Sequence, residues 1–153
     1  MDVQVEVARE ASEELVAALG RLLPQLSSTA EPLDRAAVER MVSCPATTVL
    51  VARTGGTIAG TLTLVLFPVP SGLRGRVEDV VVDGAARGRG IAASLTTEAV
   101  RIAREAGART VDLTSRPDRT AANRLYERLG FRARESTVYR LPVAGRTSRP
   151  SDR

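Results

Sequence analysis

The chain has no histidine and no tryptophan among its 153 residues, a single cysteine, Cys44, and no lysine beside its arginines. Each absence removes a class of chemistry. Without histidine there is no imidazole general base and no Ser-His-Asp triad. One cysteine cannot close an internal disulfide, and with no histidine beside it no zinc site can be assembled, so no metal is expected. Aromatic residues make up only 3%, too few for the stacking platforms that accompany most basic nucleic-acid surfaces, and no nucleic-acid partner is expected. No stretch reaches the ~18 apolar residues that cross a bilayer, so no membrane partner is expected either. The opening, 1–9, is acidic and alternating, without the basic start and apolar block of a secretory leader. These features predict a reducing, cytoplasmic setting.

What is present is enough for one globular domain. The chain is 43% hydrophobic, and its length suits a single core. The formal charge of +4 reads as a pointer to an anionic ligand. Part of that charge lies in the closing "GRTSRPSDR", and residues 142–153 are expected to be a disordered tail.

Periodicity lays out the elements. "VQVEV" (3–7) alternates as a half-buried strand does. Ser12 can cap a helix whose first turn carries Glu13 and Glu14 and whose Leu15, Leu19, Leu22 and Leu23 share a face. A second short helix starts near Asp34, with Val38, Met41 and Val42 turned inward. Strands follow at 47–53 and 57–67, joined through Thr54-Gly55-Gly56. Residues 67–75 read as a loop. "RVEDVVVD" (76–83) is a central strand whose valines suggest burial on both faces. A helix with Leu95, Ala99, Ile102, Ala103 and Ala106 in register ends at Gly107. A short strand at 110–115, a helix over 121–129 and a last strand at 135–141 complete the domain, which is bounded at 1–141.

Between the valine strand and its helix lies "AARGRGIAASL" (85–95). Glycine lets backbone approach a ligand closely. Amides of residues 88–92 could converge with the positive end of the helix dipole on a pyrophosphate, with Arg87 and Arg89 adding charge-assisted bonds. An exposed basic turn is the alternative. The helix crossing between two strands implies that they are parallel, and ligands in such sheets sit beyond the strand carboxyl ends, where this turn lies.

Arg87-Gly88-Arg89-Gly90-Ile91-Ala92 resembles the R/Q-x-x-G-x-G/A signature of the GCN5-related N-acetyltransferases, with Val80-Val81-Val82 before it at the usual distance. "AANRLYERLGF" (121–131) is similar to that family's A-x-x-L-Y-x-x-x-G-F ending. The resemblance runs from residue 3 to about residue 141. It implies an α/β (α+β) fold with a mixed, strongly twisted sheet of six to seven strands and about four helices, in which two parallel strands splay apart. It further implies acetyl-CoA as co-substrate, its pantetheine arm on the backbone of Val80, Val81 and Val82 and its diphosphate on the turn amides, and a primary amine, small-molecule or protein, as acceptor. Many members carry an asparagine where this chain has Arg119; Asn123 either takes that part beside the co-substrate or is an ordinary helix residue.

Acetyl transfer to an ammonium requires a base and a proton for the leaving thiolate. Glu78 is the candidate base. By strict alternation it shares a face with Val80 and Val82, whereas Asp79 points the other way; the alternative is a strand carboxylate satisfied by an arginine. Tyr126, at the family's tyrosine position, is the candidate acid, or else it packs its helix, a task Leu125 and Leu129 could already perform. "GRVEDVVVD" (75–83) is similar to the same strand of glucosamine-phosphate N-acetyltransferases, which makes an amino-sugar phosphate conceivable as acceptor, with Arg74 and Arg76 near the mouth. Dimerisation through the last strand is common among relatives, so "TVYRL" is a candidate homodimer edge. Two rival readings remain: a non-catalytic acetyl-CoA-binding or regulatory module of the same fold, and an RGRG-type nucleic-acid binder.

Overall fold

The computed structural model describes residues 2–144. Five strands form one sheet in the order β1 (Val3–Ala8), β2 (Thr47–Thr54), β3 (Thr57–Val69), β4 (Gly72–Val82) and β5 (Thr110–Asp112). The first three pairings are antiparallel and β4–β5 is parallel. Four helices cover it: α1 (Glu13–Leu26), α2 (Arg35–Ser43), α3 (Ile91–Glu105) and α4 (Thr120–Arg128). None of the described helices is long and apolar enough to cross a membrane.

Strand alternation sends side chains to two cores. Leu50, Ala52, Leu62, Leu64 and Val77 meet Ile91, Leu95 and Ala99 of α3 on one face. Val51, Ile58 and Val81 meet Leu15, Leu19, Leu22 and Val38 of α1 and α2 on the other. Burial on both faces explains why the central strands read as nearly continuous apolar runs.

Two expectations are corrected. Residues 67–75 are not a loop: β3 runs to Val69 and β4 starts at Gly72, with Val69 opposite Gly72 and only Pro70 and Ser71 between them. The prolines that signal a break fit at the end of a strand, and Gly72, at φ 120°, takes the turn conformation that other residues avoid. Residues 135–141 are not a strand. Their alternation would suit a half-buried strand, but no neighbouring edge pairs with them among the described residues, and Val138, Tyr139 and Leu141 are 67%, 90% and 81% exposed. The sheet therefore has five strands among the described residues instead of six or seven, while the mixed α/β layout is as expected. The expected disordered tail falls mostly at 145–153, outside the described residues; 142–144 carry no helix or strand.

Candidate functional site

The site is built where β4 loses a neighbour. Its parallel ladder with β5 joins only Arg74, Arg76 and the residue between them to Thr110–Asp112. Past that point, among the described residues, Val77–Val82 is paired with β3 alone, so the other edge of β4 carries backbone groups without a strand partner. This is the splay of parallel strands that the sequence resemblance implied.

A β-bulge lies at the same place. Thr63 faces Glu78 and Thr61 faces Val81, so Leu62 stands opposite both Asp79 and Val80. Asp79 has φ 49°, the one positive value at a non-glycine among the described residues. The extra residue reverses the alternation. Val77, not Glu78, joins the core that Val80 and Val82 pack against, which corrects the face expected for Glu78. Glu78 is exposed and its Oε2 accepts from Nε of Arg76 at 2.7 Å; Nη2 of the same guanidinium donates to Thr114 Oγ1 at 2.6 Å. Arg76 thus ties the bulge to the chain just after β5. Asp79 is also exposed, and partial desolvation, with the Glu78 charge beside it, raises its carboxyl above the usual range.

Beyond β4 the chain enters a short 3-10 turn (Gly84–Ala86) and then the Gly/Arg turn. Asp83 donates its N–H to Ala59 O at 2.8 Å, and its Oδ1 accepts from Ala85 N at 3.1 Å. From α1, Gln25 Oε1 accepts from Gly84 N at 2.9 Å, and Arg21 lies 3.6 Å from the Asp83 carboxylate while donating to Ile58 O at 2.7 Å. Gly90, at φ 73°, is the N-cap of α3 and supplies no side-chain cap. Gly88 has φ 81°, and a Cβ at either glycine would meet nothing within 4 Å. The first amides of α3 therefore begin a helix with no side chain of its own across them, in open space and at the positive end of its dipole. This arrangement fits the diphosphate of the implied co-substrate. Arg87 is exposed beside it, and Ile91 buries its side chain in the core, leaving its backbone to the turn.

Gly60 sets how close that helix comes. A Cβ there would lie 2.8 Å from Ile91 Cγ2 and 3.1 Å from Val81 O. Sequence reading passed over Gly60, although glycine inside a strand marks close backbone approach. It also missed Gln25, Arg21 and the reach of Arg76 to Thr114, for which no local pattern exists, whereas the Arg76–Glu78 pair is the alternative named for Glu78, a strand carboxylate satisfied by an arginine.

Tyr126 is the residue that α4 buries, and Leu129 is 37% exposed, so the packing face is not the Leu125–Leu129 one expected. Its ring meets Phe131 edge-on, with centroids 5.9 Å apart. Burial pushes the phenol above its ordinary pKa, against the nearby Arg119 charge, which pulls it down. Asn123 Nδ2 donates to Arg116 O at 3.0 Å, which gives it a local part in the turn before α4. Arg74 Nη2 donates to Ser71 Oγ at 2.9 Å, so Arg74 and Arg76 are both engaged. No cluster of metal-ligating side chains occurs among the described residues.

Comparisons with known proteins agree with this layout. A crystal structure of an acetyltransferase from Trypanosoma brucei is 31% identical, with TM-score 0.76 over 93% of this chain and 100% of that one. A probable glucosamine 6-phosphate N-acetyltransferase of Oryza sativa subsp. japonica is 47% identical over 57 residues, which are 37% of this chain and 32% of the relative. An L-2,4-diaminobutyric acid acetyltransferase of Streptomyces coelicolor is 42% identical over 72 residues, 44% and 42% of the two chains. The chain spans less than half the length of the curated relatives it matches. The sequence model of the acetyltransferase (GNAT) family matches residues 13–131, a span that takes in the fork, the bulge, the open start of α3 and Tyr126, and the chain belongs to that family.

Proposed function

We propose that the protein is an acetyl-CoA-dependent N-acetyltransferase in which a primary amine attacks the thioester directly in a ternary complex. The observation that carries this reading is the uncapped, glycine-led start of α3 at the open end of the β4 fork. Amides of residues 88–92, with Arg87 and Arg89, hold the diphosphate, and the free edge of Val80, Val81 and Val82 bonds the pantetheine arm as a short pseudo-strand. Ile91 and Ala92 contribute through their backbone, and Asn123, on α4, is the side chain assigned beside this arm. A backbone N–H near Val80 receives the carbonyl oxygen as charge gathers on it.

A carboxylate of the Glu78–Asp79 pair takes the proton of the acceptor ammonium; Glu78 is the one the sequence favours. Tyr126 supplies a proton to the departing sulfur. Burial raises its pKa, which keeps the phenol protonated at neutral pH but makes it a weaker acid, so the role rests on its family position on α4 and not on that shift. An amino-sugar phosphate or a small diamine suits the acceptor side, an inference supported by the relatives above.

Release of free CoA, followed with acetyl-CoA and either glucosamine 6-phosphate or L-2,4-diaminobutyrate, tests the reading. Turnover with a primary amine, cut about 10²-fold or more in Tyr126→Phe, is the expected result. Binding of acetyl-CoA without turnover of any amine would favour a non-catalytic module. Salt-sensitive RNA binding without acetyl-CoA binding would favour a nucleic-acid role.

The same reading extends to assembly and setting. The exposed Val138, Tyr139, Leu141 and Val143 lie beyond Phe131, which lines a groove of about 260 Å3 with Thr110 and Val111 of β5. Such apolar exposure supports a homodimer; light scattering that finds only monomer at assay concentration removes it. The exposed, unpaired thiol of Cys44 fits a reducing cytoplasm, and fluorescence of a tagged chain in its host checks the compartment.

A further inference from the structure

We propose that Asp79, and not Glu78, is the group that takes the proton from the acceptor ammonium, and that Arg76 and Glu78 form the clamp that positions it. The inference rests on the acetyl-transfer reading above and narrows it to one residue. The two carboxylates are neighbours in sequence, but the bulge gives them different surroundings.

Glu78 is committed. Its Oε2 is held by Arg76 at 2.7 Å, and the same guanidinium is anchored across the fork on Thr114 at 2.6 Å. The guanidinium occupies that carboxylate oxygen, and an incoming ammonium would have to displace it. Asp79 has no hydrogen bond and no ion pair on its carboxylate among the described residues. It stands on the stretch of β4 that has lost its β5 neighbour, where substrate can reach the strand from the open side.

Its backbone is the second observation. Asp79 holds φ 49° within a strand, a conformation that side chains rarely adopt and that persists only where surrounding structure imposes it. Backbone outliers of this kind gather at reacting sites. The bulge re-aims one side chain at the price of regular pairing, and the side chain so re-aimed is an unpaired acid. Desolvation and the adjacent Glu78 charge both favour its protonated form, which suits a group that must accept a proton.

The proton balance is as follows. The acceptor enters as R–NH3+ and gives one proton to the Asp79 carboxylate. The freed lone pair attacks the thioester carbon, a C–N bond forms and the C–S bond breaks. Sulfur leaves with the bonding pair and takes the Tyr126 hydroxyl proton. The nitrogen then gives its surplus proton back to the phenolate as the amide forms. Asp79 returns its proton to water, leaving the amide, CoA–SH and one released proton.

The test compares Asp79→Asn, Asp79→Gly and Glu78→Gln in the full chain, with glucosamine 6-phosphate and L-2,4-diaminobutyrate as probe amines and acetyl-CoA binding measured by calorimetry. Asparagine and glycine both tolerate a positive φ, so both keep the bulge while removing the acid. The expected result is a fall in kcat of about 10²–10⁴-fold in both Asp79 variants, with acetyl-CoA affinity unchanged. Asp79→Glu should recover part of the rate, and Glu78→Gln should lose less than either Asp79 variant. Wild-type kcat in Asp79→Gly or Asp79→Asn, or a larger loss in Glu78→Gln, overturns the assignment while leaving the acetyltransferase intact. A wild-type chain that binds acetyl-CoA yet turns over neither amine overturns it together with the transferase reading.

Discussion

Helices α1 and α3 pack on opposite faces of one sheet and begin in opposite ways. The start of α1 is closed: Ser12 Oγ accepts from Leu15 N at 3.1 Å, and Glu13 and Glu14 sit in the first turn against the positive end of the dipole. Arg53 then fixes Glu14 from β2, with contacts of 2.6 and 2.7 Å, and the pairing holds the Glu14 carboxyl below its ordinary pKa. The start of α2 is closed in the same way by Asp34, which accepts from Ala37 N at 2.8 Å. At α3 the cap is a glycine with no side chain, and no acid stands in the first turn. A helix end left without partners is normally a defect. Here it follows β4, whose ladder with β5 stops at Arg76 among the described residues, and the proposed diphosphate site makes use of that open end.

The sharpest way to break this contrast is to make α3 start as α1 does. Gly90→Asp puts a capping carboxylate at a φ of 73° that aspartate tolerates better than most residues. The cap satisfies an amide and places a negative charge where the diphosphate should lie. Calorimetry should record a loss of acetyl-CoA affinity of at least about 10²-fold, roughly 3 kcal/mol, larger than the fall in thermal stability that a side chain at this positive φ brings. Affinity equal to wild type would mean that the diphosphate does not sit on this helix.

A smaller effect should follow from pushing the helix away from the sheet. Gly60→Ala forces a methyl to within 2.8 Å of Ile91 and 3.1 Å of a β4 carbonyl. Overpacking of this kind costs about 1–3 kcal/mol. Because the strain falls on the first residue of α3, acetyl-CoA affinity should fall together with the denaturant midpoint. A drop in stability with affinity untouched would show that the turn moves as a unit and that Gly60 serves the core alone.

The open start of α3 was legible in the sequence because every part of it is local: a valine strand, two glycines, an amphipathic helix. The cap at Ser12 and the helix start near Asp34 were legible for the same reason. The bulge was not. Nothing in "RVEDVVV" announces an extra residue, since aspartate occupies the position that glycine often marks, and strict alternation then put Glu78 on the wrong face. The hairpin at 67–75 was lost because prolines were weighed as breakers without regard to strand ends. The strand expected at 135–141 failed for a different reason. Alternation describes a segment's own amphipathicity, whereas a strand also needs an edge to pair with, and the pairing edge belongs to another part of the molecule. The Arg76 bridge joins residues 76, 78 and 114, and only the fold brings the last of these to the other two.

The mildest perturbation is the converse one, opening the start that is closed. Ser12→Ala removes the hydroxyl that accepts from Leu15 N and leaves that amide to water. Losing such a cap costs about 1 kcal/mol, within a range of roughly 0.5–2. Glu13, Glu14 and the Arg53 contacts remain, so the loss should lie toward the lower part of that range, read as a modest fall in the denaturant midpoint at constant slope. No ligand argument applies to this end, so acetyl-CoA affinity should be unchanged. Reduced affinity in Ser12→Ala would mean that α1 transmits its stability to the turn through Gln25 and Arg21, which hold Gly84 and Asp83 from its far end. In that event the closed and the open helix starts would be two ends of one mechanical unit, and the contrast between them would be one of task within a shared site.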